Sequence, residues 1–325
     1  MSIKRLITLL TALITISSAS DAKQSPTTVA CVGDSITFGY GLKPADKRYP
    51  QVLQELLGDK FAVKGFGNSG KTAGDYPGQK GRWYGSTNEH KKAVDYAADI
   101  YICNLGINDT GAWWNADLFT KGYNDLFTAW KQANPKAKFF AWGKLGPDYR
   151  GPVDKPAFPG NCFTDVRKYS LVDNGSSAKR PEAEKLIKGV AKKHKVVLFD
   201  AYTLMANHPE WYTDGLHPLA EGARRIAEIT FTQLVKSLKL SQPTPKITSD
   251  ENGLTISNPG SSGILLDGFI VSDGSQKMTL SNATVIHPGA SITITTGATN
   301  QDDPTKPLTI KSKKSPKSLK LIKKK

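Results

Sequence analysis

Thr28-Val-Ala-Cys-Val32 followed at once by Gly33-Asp34-Ser35-Ile36-Thr37 is the stretch on which the reading of this chain turns. A short continuous apolar run of this kind is a buried strand, and the Gly-Asp-Ser after it is a strand-to-helix turn. A serine hydroxyl is a poor nucleophile at neutral pH and needs a base within hydrogen-bond reach, itself oriented by a third group. Far downstream, Asp214-Gly-Leu-His217 offers both. Ser35, His217 and Asp214 are therefore the candidate working set of a hydrolase. Asp and Ser ahead of a helix are also ordinary N-caps, so the turn alone does not establish the chemistry.

Outward from this turn, apolar stretches recur at 61–63, 100–105, 138–142 and 196–199, separated by segments of helical spacing. Phe119, Tyr123, Leu126, Phe127 and Trp130 fall at i, i+4, i+7, i+8 and i+11, one face of a helix that ends near Asn134-Pro135. Further helices are expected at 49–57, stopped by Gly58, and at 180–194 and 219–238. Strands alternating with helices imply an α/β fold, a parallel sheet with helices on both faces, and ligands bind such sheets beyond the carboxyl ends of the strands.

The pattern changes at Ser241-Gln-Pro-Thr-Pro-Lys246, whose two prolines make a stiff, exposed linker. After it the period shortens to two. Runs at 254–257, 264–272, 278–280, 284–286, 291–295 and 308–310, punctuated by Asn-Pro-Gly, Ser-Asp-Gly and Pro-Gly-Ala turns, predict a small all-β sandwich or barrel. All candidate catalytic residues precede the linker. A chain ending near Ser241 is therefore expected to keep its activity on a small ester, with the β-domain held apart.

Lys4 and Arg5 precede the apolar run 6–16, and small residues follow as far as Ser20-Asp21-Ala22. This is the pattern of a secretory signal, with the cut expected after Ala22 and an exported, soluble product. The expected layout is then a signal at 1–22, an α/β catalytic domain at 23–240, a linker at 241–246, an all-β accessory domain at 247–310 and a tail at 311–325. Of the 3 cysteines, Cys31 and Cys103 read as small core residues and Cys162 as a loop thiol. None has metal-ligand spacing to another Cys or His, which argues against a zinc site. The formal net charge of +15 suggests nucleic acid until it is mapped. Lysines 311, 313, 314, 317, 320, 323, 324 and 325 carry much of it with no intervening acid, as in a solvated tail or a contact to an anionic envelope, polysaccharide or membrane surface. Nucleic acid is not an expected partner.

Three further segments bear on Ser35. Gly65-Phe-Gly-Asn-Ser-Gly70-Lys-Thr72 follows the second strand, where a glycine lets a main-chain N–H face an open pocket, and Gly106-Ile-Asn108-Asp109 follows the third, where Asn108 can present its side-chain amide. The last is the Asp214–His217 segment. Taken in order, the four resemble the blocks of the SGNH hydrolase family, the GDSL esterases and lipases, over about residues 28–238. The resemblance implies a flavodoxin-like α/β/α sandwich. It makes Ser35 the nucleophile, His217 the base, Asp214 its partner, and Gly70 and Asn108 oxyanion donors beside the Ser35 N–H, with no metal or organic cofactor. Ile36 replaces the leucine of the eponymous motif, and Gly65 stands where an asparagine is common in the second block.

Secretion, the appended β-domain and the absence of a long amphipathic lid make the chain similar to the carbohydrate O-acetylesterase branch, including sialate O-acetylesterase-like proteins. An acylated carbohydrate or small ester is the expected substrate. Asp34 and Asp109 beside the blocks, with Trp83, Tyr84, Trp113 and Trp114 as sugar-stacking platforms, are the candidate substrate contacts. A lysophospholipase or arylesterase of the same family and a non-catalytic surface-binding protein remain open alternatives. The β-domain resembles a lamin-tail-like immunoglobulin-fold module in Leu254-Thr-Ile-Ser-Asn-Pro-Gly and His287-Pro-Gly-Ala-Ser-Ile-Thr-Ile, without an obvious first strand; His287 reads as turn chemistry.

Overall fold

A computed structural model describes residues 25–145, 176–205, 208–213, 216–274, 277–280, 283–296, 308–310 and 320–323. Asp214, Cys162, the leader at 1–22 and most of the lysine run lie outside the described residues.

Five parallel strands, β1 (Thr27–Gly33), β2 (Phe61–Gly67), β3 (Ile100–Asn104), β4 (Lys138–Trp142) and β5 (Val197–Phe199), form one sheet in the order β2-β1-β3-β4-β5. Alternation sorts their side chains to two faces. Val29 and Cys31, Ile100 and Ile102, and Phe140 and Trp142 join one core with α2 (Tyr49–Leu57) and α6 (Ala220–Leu238). Ala30 and Val32, Tyr101 and Cys103, and Phe139 and Ala141 join a second core with α3 (Asn88–Tyr96), α4 (Ala116–Ala133) and α5 (Ser176–His194). The result is the expected three-layer α/β/α sandwich. Cys31 and Cys103 are free and buried within it.

The strand order fixes where chemistry can occur. From β1 the chain crosses to β2 on one side, and β3 lies on the other, so loops after these three adjacent strands share one crevice at the switch point of the sheet. The turn after β1 is tight: α1 (Ser35–Phe38) begins within two residues, capped by the Asp34 carboxylate, which accepts from the Ile36 N–H at 3.0 Å. Gly67 at the end of β2 is held to glycine by sterics, since a Cβ there would lie 2.1 Å from the Phe38 nitrogen.

The C-terminal module has its own core, made by Leu254, Ile256, Ile264, Leu266, Val271, Met278, Leu280, Ile286 and Ile294. Its strands are β6 (Lys246–Asp250), β7 (Gly253–Ser257), β8 (Ile264–Leu265), β9 (Phe269–Ser272), β10 (Lys277–Thr279), β11 (Val285–Ile286), β12 (Ser291–Thr296), β13 (Leu308–Ile310) and β14 (Lys320–Lys323). They pair as β13-β12-β7-β6, β10-β9-β14 and β11-β8. Two strands differ from expectation. β6 supplies the first strand that the sequence did not reveal; all five of its residues are exposed, so no period-two apolar signal marks it. β14 pairs antiparallel with β9, so Lys320–Lys323 of the run read as a solvated tail belongs to a sheet.

The prolines at 243 and 245 do not hold the module apart. Leu265 and Ala283 are buried in the core shared by α2 and α6, and the Gly263 N–H donates to the Leu56 carbonyl at 2.7 Å. Arg225 Nη1 reaches both Glu228 Oε2 and the Ala283 carbonyl at 2.9 Å, while His287 Nε2 lies 2.9 Å from Glu228 Oε1. His287 thus does more than make a turn. Burial opposes charge on Glu228, yet the His287 hydrogen bond and the Arg224 and Arg225 guanidinium groups outweigh it and hold the carboxyl below its ordinary range.

Two outcomes follow from this seam. A chain ending at Ser241 exposes Leu56 and Phe231 and leaves Glu228 without His287; calorimetry should show it melting roughly 5–10 °C below the full chain, at about 2–4 °C per kcal/mol for a domain of this size. Equal melting would make the seam energetically idle. A depressed carboxyl stabilises above its unfolded pKa and ceases to as pH falls through its folded pKa. Glu228→Gln should therefore be less stable than the parent at pH 7, and the difference should close below about pH 4.

Candidate functional site

The site is assembled from four chain segments. Ser35 opens α1, 5% exposed, with its backbone N–H at the positive end of the helix. Its Oγ lies 2.9 Å from His217 Nε2, across 182 residues of sequence. Gly70 and Asn108 come from the loops after β2 and β3.

His217 is held by a narrow loop just before α6. Tyr212 and Pro218 form an antiparallel bridge, and the Thr213 N–H donates to the His217 carbonyl at 2.9 Å. The Tyr40 ring packs 4.6 Å from the imidazole, and a Cβ on Gly41 would sit 3.7 Å from His217 Cβ. Tyr40 is more than half exposed beside the Ser35–His217 pair, as is much of Phe38. Sequence reading missed both. Only their position three to five residues after Ser35, an aromatic pair straight after a strand-turn-helix, hinted at them.

The loop after β2 is fastened at several points. The Asn68 N–H donates to the Gly33 carbonyl at 2.9 Å and its Nδ2 to Glu89 Oε2, tying β2 to β1 and to α3. Gly70 adopts φ +73, a left-handed conformation that favours glycine, and no atom lies within 4 Å of where a Cβ would stand. Asn108 sits in a 3-10 turn (Ile107–Asp109) and donates Nδ2 to the Lys71 carbonyl at 3.0 Å. A primary amide has two N–H groups, so this bond commits only one. Ser35, Gly70, Asn108 and His217 are thus carried by neighbouring segments, while Asp214 falls outside the described residues.

Several candidate substrate contacts have other work. Asp109 is fully buried and accepts from the Ala73 N–H at 2.9 Å, the Gly74 N–H at 2.8 Å and the Tyr76 hydroxyl at 2.8 Å. Burial pushes its carboxyl up to about 6 despite these donors and the nearby Arg82 charge. Asp34 is also fully buried; desolvation raises it to about 7, offset in part by the Ile36 N–H and the neighbouring His217. Tyr84 is a core residue whose hydroxyl donates to the Phe66 carbonyl at 2.6 Å. None of these three can touch a substrate in this structure, and each reads instead as a brace behind the site. Trp114 packs on Phe119 and donates its indole N–H to Glu182 at 3.0 Å, so it ties the loop after β3 to α5. Trp83 and Trp113 remain half-buried at the edge of the site.

Geometrically this is a hydroxyl with a base at hydrogen-bond distance, set at a helix N-terminus with main-chain and amide donors nearby. Such an arrangement suits acyl transfer. Comparison with known proteins points the same way. A curated acetylxylan esterase from Xylanibacter ruminicola is 29% identical over 219 residues, which is 64% of this chain and 43% of that protein. The chain thus spans less than half the length of that relative. A solved carbohydrate acetylesterase family member from Sinorhizobium meliloti shares the fold with a TM-score of 0.50 and 20% identity, covering 66% of this chain and 100% of that one. The model of the GDSL-like lipase/acylhydrolase family matches residues 31–225, a span that includes Ser35, Gly70, Asn108 and His217 and stops short of the β-module. By that match over more than half its length, the chain belongs to the GDSL-like lipase/acylhydrolase family.

Proposed function

We propose that this protein is a serine esterase that removes O-acyl groups, chiefly O-acetyl groups, from carbohydrates. The observation that carries the reading is the 2.9 Å contact between Ser35 Oγ and His217 Nε2 at the start of α1. The choice of a carbohydrate acetyl ester is supported by the acetylxylan esterase relative.

In this reading His217 Nε2 takes the Ser35 proton as Oγ attacks the ester carbonyl. Negative charge develops on the carbonyl oxygen, within the reach expected for the Ser35 N–H, the Gly70 N–H and the free amide hydrogen of Asn108. Each such donor is worth about 10²- to 10³-fold in rate. The His217 imidazolium then gives its proton to the departing sugar oxygen, which leaves as the hydroxyl, and water, deprotonated by the same imidazole, releases acetate from the acyl-enzyme. Asp214 is assigned to orient His217 and stabilise the imidazolium. The leader expected at 1–22 places the reaction outside the cell in the same proposal, with the lysines beyond 311 as a contact to an anionic envelope or polysaccharide.

Ser35→Ala should lower kcat on p-nitrophenyl acetate by at least about 10⁴-fold with an unchanged circular dichroism spectrum, since a residual rate then comes only from binding and the oxyanion donors. Retention of a tenth of the activity would remove Ser35 from the mechanism. Asn108→Ala should lower kcat roughly 10²- to 10³-fold with little change in KM, because its donor acts mainly on the transition state. A pure KM effect would make Asn108 a substrate-binding residue instead. Acetate released from acetylated xylan, compared with longer acyl esters, tests the acyl preference; faster turnover of the long esters would overturn it.

A further inference from the structure

Three donor nitrogens at the edge of the site lack an acceptor. Arg82 Nε, Trp83 Nε1 and Trp113 Nε1 are buried atoms with no hydrogen-bond partner. The Arg82 guanidinium lies 4.4 Å from the centre of the Trp113 ring, and among the described residues no carboxylate forms an ion pair with it. Asp109 lies near enough to feel its charge, yet both Asp109 oxygens are committed to Ala73, Gly74 and Tyr76.

Their location gives these donors a meaning. The Arg82 carbonyl accepts from the Thr72 N–H at 2.9 Å, two residues after Gly70, and the Tyr84 N–H returns to the Thr72 carbonyl at 2.9 Å. Trp113 stands five residues after Asn108. Arg82 therefore bridges the two loops that bring Gly70 and Asn108 to the site. Lys71 adds a second positive charge to this edge, its Nζ donating to the Gly81 carbonyl at 2.8 Å. Arg82 is half-buried, and among the described residues no ion pair and no side-chain hydrogen bond engages its guanidinium, so a ligand oxyanion can supply the partner that the fold does not.

We propose that Arg82, flanked by Trp83 and Trp113, is an anion subsite that binds the carboxylate of a uronic acid residue near the acetylated sugar. This rests on the esterase reading above and narrows it to acidic acetylated glycans. The planar guanidinium fork matches the two oxygens of a carboxylate, and stacking on Trp113 holds the fork in place before the ligand arrives. Trp113 thus serves as a shelf for Arg82, its covered face being closed to a sugar ring.

The test uses the full-length protein and two readouts. Calorimetric titration with an unacetylated uronic acid oligosaccharide, and with the same oligosaccharide after carboxyl reduction, needs no turnover. Binding of the acidic form should exceed that of the reduced form, weaken at 0.5 M salt, and fall about 10- to 100-fold in Arg82→Gln, with Arg82→Lys in between. The second readout is kcat/KM on acetylated acidic glycan relative to its carboxyl-reduced counterpart, a ratio that should drop by a similar factor in Arg82→Gln. Equal binding of the acidic and reduced oligosaccharides overturns the subsite, as does a loss in Arg82→Gln that is the same for both. Should Arg82→Gln fail to fold, Arg82→Lys and the salt dependence of the parent still decide. Absence of ester turnover in the parent would sink the esterase reading alone, because the titration reports on Arg82 independently.

Discussion

The loops after β2 and β3 are fastened to each other by one buried carboxylate. Asp109 reaches from the turn after β3 to the Ala73 and Gly74 amides and the Tyr76 hydroxyl of the loop after β2, and so sets Asn108 and Gly70 at a fixed offset from each other. A carboxylate in the interior is tolerable only when its lone pairs are filled, and full burial still pushes this one up to about 6. Asp34, one strand over, caps α1 through Oδ1 and so fixes the Ser35 backbone, while its buried Oδ2 takes no hydrogen bond among the described residues. Two buried aspartates therefore fix the segments that carry Ser35, Gly70 and Asn108.

Helix α6 joins the site to the module. Its chain enters immediately after the loop that carries His217, and its Arg225 and Glu228 side chains, one to two turns further on, make the polar half of the seam. The apolar half is Leu265 and Ala283 entering the core beneath the same helix. The loop that delivers the imidazole to Ser35 is thus anchored on a helix clamped from both sides.

Much of this was legible in the sequence. Buried parallel strands announce themselves as continuous apolar runs, and α2 and α4 as clean helical faces, because burial on a flat sheet demands those patterns. The second half of β2, Lys64-Gly-Phe-Gly67, and α3, with Ala93 as its one fully buried residue, carry too little apolar signal to be seen. The site followed the same division. Ser35, Gly70, Asn108 and His217 could be singled out because each lies in a short motif straight after a strand or just before a helix, and the structure brings Ser35 and His217 within hydrogen-bond distance. Tyr40 and Arg82 were not, since what makes them matter is a contact to a ring distant in sequence. Asp34, Tyr84 and Asp109 were misplaced because adjacency to a motif says nothing about which way the chain turns a side chain. The docked module was missed for a related reason: Leu265 and Ala283 look like members of their own core until α2 and α6 are seen beneath them.

The two cysteines in the central sheet also set how the protein meets oxidants. Cys31 and Cys103 sit on opposite faces of adjacent strands with no exposure to speak of, and burial pushes the Cys31 thiol up to about 12 and Cys103 higher still. Thiolate, the species that attacks peroxide or a disulfide, is then about one part in 10⁴ of Cys31 at pH 8. Placed where they are, these residues are small hydrophobes with their sulfur chemistry switched off. Oxidation of these two thiols therefore requires the central sheet to open first.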